Sequence, residues 1–266
     1  MPVCFAVLQL RNEMGHTTEA LFKPSSHPDS DQLIVFFPGD LSDFPYAKFR
    51  DPLAMGYPEC MNYNYTLDYI MRDLSTTSSG RTSLLMFRPE LMRGNFACYN
   101  DYVLSDVCGN PLWEDRSRQP SRSFLSYVEK AAVQMGIPSQ TLSNITLVGF
   151  SKGAVVLNAL LRDRDPFLLH RIKKLIYIDP GLSQPGLFPF STQDYDCFPS
   201  EIPIQIYVTP YQMKDPNRPW LQREITEFAA NTGATLRHIL CEAERSLETH
   251  FKSITVAMLE LNRNSY

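Results

Sequence analysis

The stretch NITLVGFSKGAVVLNALLRD, residues 144–163, decides the fold. Its first part, Ile145–Val148, is a short apolar run with β-branched residues, the pattern of a buried strand. Its last part brings Val155, Val156, Ala159 and Leu160 round at the spacing of a helix face. Between them stands Gly149-Phe150-Ser151-Lys152-Gly153, a G-x-S-x-G turn. Alone, that short pattern carries little weight. A strand directly before it and a helix directly after it give it meaning. A serine that must project from the end of a sheet sits in a strained turn. Glycines two positions to either side let neighbouring backbone close in on it. The helix N-terminus behind the serine also favours negative charge. The stretch reads as a nucleophile elbow and predicts an α/β-hydrolase fold.

Further apolar runs lie at Val3–Leu10, Leu33–Phe37, Ser83–Phe87, Leu175–Ile178, Ile202–Val208 and Thr235–Leu240, with a weaker one at Glu19–Phe22. Helix-period stripes fill the gaps. They comprise Leu67, Ile70, Met71 and Leu74; Phe124, Val128, Ala131, Ala132 and Met135 between Pro120 and Gly136; Trp220, Leu221, Ile225 and Phe228; and Ile254, Met258 and Leu261. The alternation predicts a mostly parallel sheet with helices on both faces. The 266 residues are read as one domain, 1–266, with insertions near 88–118 and 182–200 that fit no core element. Long insertions on the carboxyl-end side of such a sheet commonly cover an active site. Their aromatic content suits a lid over an apolar acyl pocket.

A serine hydroxyl needs a base. Of the five histidines, His16 and His27 precede the elbow, whereas the expected order is serine, acid, histidine. His170 leads into a strand and His238 lies inside the last one. His250, in SLETHFKSI at the start of the final helix, is the candidate base. The base needs a carboxylate to hold its tautomer. Asp215, a few residues past the penultimate strand, is favoured, with Asp179 at the end of the preceding strand as the alternative. The oxyanion donors expected are the backbone N–H groups of Lys152 and of Asp40, the latter in FFPGD after the third strand. The Lys152 side chain is expected to pair with a carboxylate such as Asp40 rather than to recruit an anionic substrate.

Hydrophobic residues at 44% and charged residues at 20% fit a globular chain rather than a disordered one. A net charge of −4 argues against a general nucleic-acid binder. No basic start precedes the first apolar run, so no signal peptide is expected, and no run is long enough for a membrane helix. Six cysteines form no C-x-x-C pair, which points to a reducing, intracellular setting, cytoplasmic on these residues alone. Cys4 and Cys241 are expected in strands as small buried hydrophobes. No metal or organic cofactor is implied. The expected partner is a small or lipid-like acyl substrate. The competing reading is a hydrolase fold kept as a non-catalytic binding or scaffold protein.

The segments IVFFPGD, FACYNDYV, LVGFSKGAVVLNALL, YIDPG, VTPYQMKDPNRPW and ETHF together resemble the chromosome 2 open reading frame 69 family. The likeness runs from about Leu33 to about Phe251. It implies an α/β-hydrolase fold and a triad of Ser151, His250 and an acid at Asp215 or Asp179. It also implies a role at the site for the insertion that holds FACYNDYV. Vertebrate members are associated with mitochondria, so the resemblance implies a mitochondrial location.

Overall fold

Alternation along the strands decides which side chains enter which layer. In β3 (Gln32–Phe37), Leu33, Val35 and Phe37 join one apolar cluster, while Ile34 and Phe36 join a second on the opposite face. β7 (Ile145–Phe150) and β8 (Ile172–Ile178) alternate in the same way: Leu147 and Leu175 on the first face, Val148 and Ile176 on the second. Strands buried on both faces need helices on both. The computed structural model describes residues 5–27, 31–45, 62–188, 195 and 198–263.

The remaining strands are β1 (Ala6–Arg11), β2 (Thr17–Lys23), β4 (Thr82–Phe87), β5 (Leu91–Arg93), β6 (Phe96–Cys98), β9 (Ile204–Val208) and β10 (Thr235–His238). Eight of the ten form one sheet in the order β1-β2-β4-β3-β7-β8-β9-β10. β2 runs antiparallel to both its neighbours, and every pair from β4 to β10 is parallel. β5 and β6 form a separate hairpin inside the first insertion. The helices are α1 (Leu67–Thr77), α2 (Pro120–Met135), α3 (Ala154–Asp163), α4 (Pro166–Arg171), α5 (Pro210–Met213), α6 (Trp220–Thr232) and α7 (Leu247–Arg263). α2, α3 and α6 cover the first cluster, and α1 and α7 cover the second. This is an α/β-hydrolase fold, a mostly parallel sheet between two helical layers.

Two expectations shift at the far edge of the sheet. The run read as Thr235–Leu240 ends as a strand at His238. Leu240 turns left-handed at φ +53, and a turn from Leu240 O to Ala243 N–H carries the chain away. Cys241 therefore lies past the strand and is exposed, not buried. Cys4, its expected counterpart at the other edge, lies outside the described residues. Cys98, Cys108 and Cys241 are free thiols. Among the described residues no helix is long and apolar enough to cross a membrane.

Candidate active site

Ser151 sits between β7 and α3 with φ +51, a left-handed conformation that a side-chain-bearing residue adopts only under constraint. The constraint is close packing. A Cβ on Gly153 would stand 2.0 Å from the carbonyl oxygen of Phe37, and one on Gly149 would stand 2.8 Å from Cα of Ala154. The first contact locks the elbow against the end of β3, and the second lets α3 fold back onto β7. The loop after β3 presses equally close, since a Cβ on Gly39 would lie 2.5 Å from Cβ of Ser151 and 3.1 Å from its Oγ. The sequence marks Gly39 as part of the turn after the third strand, but its close approach to Ser151 is a contact between distant segments that no local pattern reports.

His250 lies in the first turn of α7. Its ring stands 4.5 Å from that of Phe150, centroid to centroid, which brings the imidazole beside the elbow. Its Nδ1 donates to Asp179 Oδ2 at 2.7 Å. Asp179 is fully buried, one residue past β8, with φ +45. Its own N–H continues the sheet pairing to Tyr207 O at 2.7 Å. Its carboxylate also accepts from Thr209 N–H at 2.8 Å and Thr209 Oγ1 at 2.7 Å, and Gln212 Nε2 donates to its carbonyl at 3.0 Å. A buried carboxylate that meets three donors has its polar atoms satisfied and its position fixed. Thr209 and Gln212 escaped the sequence reading. The signal was there in Thr209-Pro210, a cap residue followed by proline at the first helical position.

Asp215, the acid favoured from chain order, is committed elsewhere. Its Oδ2 accepts from Arg218 Nε at 2.7 Å, and its Oδ1 accepts from Asn217 N–H at 3.0 Å and pairs with Arg245 at 2.7 Å. The physical reason lies in the loops. After β9 the chain winds into α5, capped by Thr209, before it reaches Asp215, whereas Asp179 follows β8 directly. Asp215 reaches His250 only through other side chains. Its two arginines lie 5.8 and 5.7 Å from the ring of Tyr211, and that ring stacks on His250 at 4.4 Å.

Burial pushes the Asp215 carboxyl up, but Arg218, the Asn217 N–H and Arg245 outweigh it and hold it below the usual carboxylate range. A carboxyl lowered in the folded state adds stability above its unfolded pKa of about 3.9 and loses it as pH falls through the folded value. Asp215→Asn is therefore expected to melt roughly 4–8 °C below the parent at pH 7, about 2 kcal/mol. The gap should close as pH falls below about 4. Melting curves over a pH series check this, and a gap indifferent to pH would mean that the charge is not its source.

The first insertion clamps the loop after β3. Leu41 N–H donates to Asn95 O at 3.0 Å, Tyr99 Oη to Pro38 O at 2.5 Å, and Ala97 N–H to Asp40 Oδ1 at 2.8 Å. Lys152 extends into the same insertion. Its Nζ donates to Cys108 O at 2.9 Å, lies 3.3 Å from Asp40 Oδ1 and stands 4.7 Å from the Phe96 ring. Burial pushes the Asp40 carboxyl up, Lys152 and the Ala97 N–H pull against it, and the net direction is upward. The two insertions also meet: Trp113 Nε1 donates to Leu187 O at 2.9 Å, and Ser183 Oγ to Asn110 Oδ1 at 2.5 Å. Among the described residues no group of three His, Cys, Asp or Glu side chains is arranged to hold a metal ion.

The sequence model of the C2orf69 family matches residues 9–134 and 114–234 of this chain. A relative from Danio rerio, named "Mitochondrial protein C2orf69 homolog", is 27% identical over 85% of this chain and 73% of its own length. One from Homo sapiens, "Mitochondrial protein C2orf69", is 23% identical over 86% of this chain and 75% of its own. Among solved structures, the esterase domain of a Rhodothermus marinus protein covers 97% of this chain and 96% of its own, with a TM-score of 0.53 at 11% identity. That likeness concerns the fold. Both relatives carry "mitochondrial" in their names, and the cytoplasmic expectation finds no support in them.

Proposed function

This chain belongs to the C2orf69 family, and from that premise and the geometry of its elbow we propose that it is a serine hydrolase cleaving ester or thioester bonds. Ser151 Oγ attacks the carbonyl carbon and its proton passes to His250. With Nδ1 bound to Asp179, Nε2 is the nitrogen left to receive it. The oxyanion formed is met by the N–H groups of Lys152 and Asp40. Collapse expels the alcohol or thiol, which takes the proton back from His250. Water, deprotonated by the same nitrogen, then attacks the acyl-serine; the acyl–oxygen bond breaks, Ser151 Oγ takes that proton from His250, and the acid leaves. Asp179 keeps the imidazole in its tautomer and stabilises the imidazolium. The insertion near 88–118 and the described part of the one near 182–200, of which 189–194, 196 and 197 lie outside the described residues, act as the cover of a site for small or lipid-like acyl groups, and the protein works in the mitochondrion, as its relatives are named.

The observation that carries the reading is the 2.7 Å bond from His250 to a buried Asp179, beside a serine in a left-handed turn. A fluorescent fluorophosphonate tests it. Ser151 Oγ bonds to phosphorus, fluoride leaves, and His250 takes the serine proton. Wild type is expected to be labelled, and Ser151→Ala and His250→Ala to stay dark while remaining folded. A folded wild type that stays dark would favour the rival reading, a hydrolase-fold binding or scaffold protein, which the near-complete burial of Ser151 would then explain.

A further inference from the structure

The loop that holds one proposed oxyanion donor also holds a negative charge. Asp40 is proposed as an oxyanion donor through its backbone N–H, yet the same residue carries a carboxylate. A carboxylate on the loop that meets a developing alkoxide opposes it. The fold supplies an answer in Lys152. Its side chain is 3% exposed, and burying an ammonium is costly unless it is paired. Here it reaches Asp40 Oδ1 and Cys108 O, with the Phe96 ring beside it. The same ammonium therefore bridges the elbow, the loop after β3 and the first insertion.

We propose that the Lys152 ammonium is a positioning residue of the Ser151 site: it neutralises the Asp40 carboxylate and pins the first insertion, at Phe96 and Cys108, against the loop after β3, so that the donors facing the oxyanion act without an opposing charge. The inference rests on the serine-hydrolase reading above.

A double-mutant cycle on the intact chain, read as the maximal rate and half-saturating concentration of fluorophosphonate labelling at pH 8, tests it. The probe's phosphoryl oxygen occupies the place of the oxyanion, and methionine at 152 keeps the backbone N–H. Lys152→Met is expected to slow labelling roughly 30- to 100-fold at saturation, with half-saturation moved by less than about threefold. In the Asp40→Asn background, where no carboxylate needs neutralising, the same substitution should cost less than about fivefold. That background also decides the matter if Lys152→Met alone fails to fold. An equal penalty in both backgrounds, or none in either, overturns the proposal while the serine-hydrolase reading stands. A folded wild type that takes no label removes both.

Discussion

Asp179→Asn is expected to slow acylation of Ser151 by roughly 1,000- to 10,000-fold with little change in KM or melting temperature. The size follows from what Asp179 Oδ2 does: it accepts from His250 Nδ1 and from Thr209 Oγ1 at 2.7 Å each. An amide nitrogen placed there donates where the oxygen accepted. The imidazole must then present Nδ1 as an acceptor and carry its proton on Nε2, where it cannot take the proton of the serine. The alternative amide orientation sets its nitrogen against Thr209 N–H, which is itself a donor to Oδ1 at 2.8 Å. Asp215→Asn is the comparison. It disturbs the arginines beneath Tyr211 and should cost less than about tenfold in rate, its main effect being the loss of stability described above. Burst kinetics on a p-nitrophenyl ester separate the two. Equal losses for both variants, or a larger one for Asp215→Asn, would move the acid away from Asp179.

The contrast between these aspartates shows where the sequence stops being legible. The elbow could be read because its parts are contiguous: a strand, a turn and a helix within twenty residues, each with its own periodicity. The position of His250 could be read because it follows the last strand and opens the last helix. The acid could not be resolved, because the choice depends on how a loop folds. Both Asp179 and Asp215 stand after strands at the same end of the sheet. Only the winding of α5, and the capture of Asp215 by Arg218 and the distant Arg245, separates them. Arg218, three residues on, was visible as a local partner, but Arg245 was not. The clamp of the first insertion was equally hidden. Tyr99, Ala97 and Asn95 meet Pro38, Asp40 and Leu41 across more than fifty residues of chain, and no periodicity reports such contacts.

Gly153→Ala should fail more completely than any other single methyl addition near the elbow. Its new Cβ would meet Phe37 O at 2.0 Å, Phe37 C at 2.6 Å and Pro38 O at 2.8 Å, all backbone atoms with no rotamer to change. Relief requires either the elbow to lift from β3 or the end of β3 to move. Both displace the peptide that follows, Gly39-Asp40, from beside Ser151. Overpacking against rigid backbone costs about 3 kcal/mol here, or roughly 6–12 °C in melting temperature. Labelling of Ser151 should be lost even at temperatures where the variant remains folded. Gly233→Ala provides the control. Gly233 closes α6 at φ +67 with nothing within 4 Å of its would-be Cβ, so the substitution carries only the left-handed backbone penalty of about 1–2 kcal/mol. It should therefore melt early yet label normally. If Gly153→Ala merely melted early and labelled like Gly233→Ala, the close approach of β3 would be a packing feature, with no part in presenting the serine to the proposed oxyanion donors.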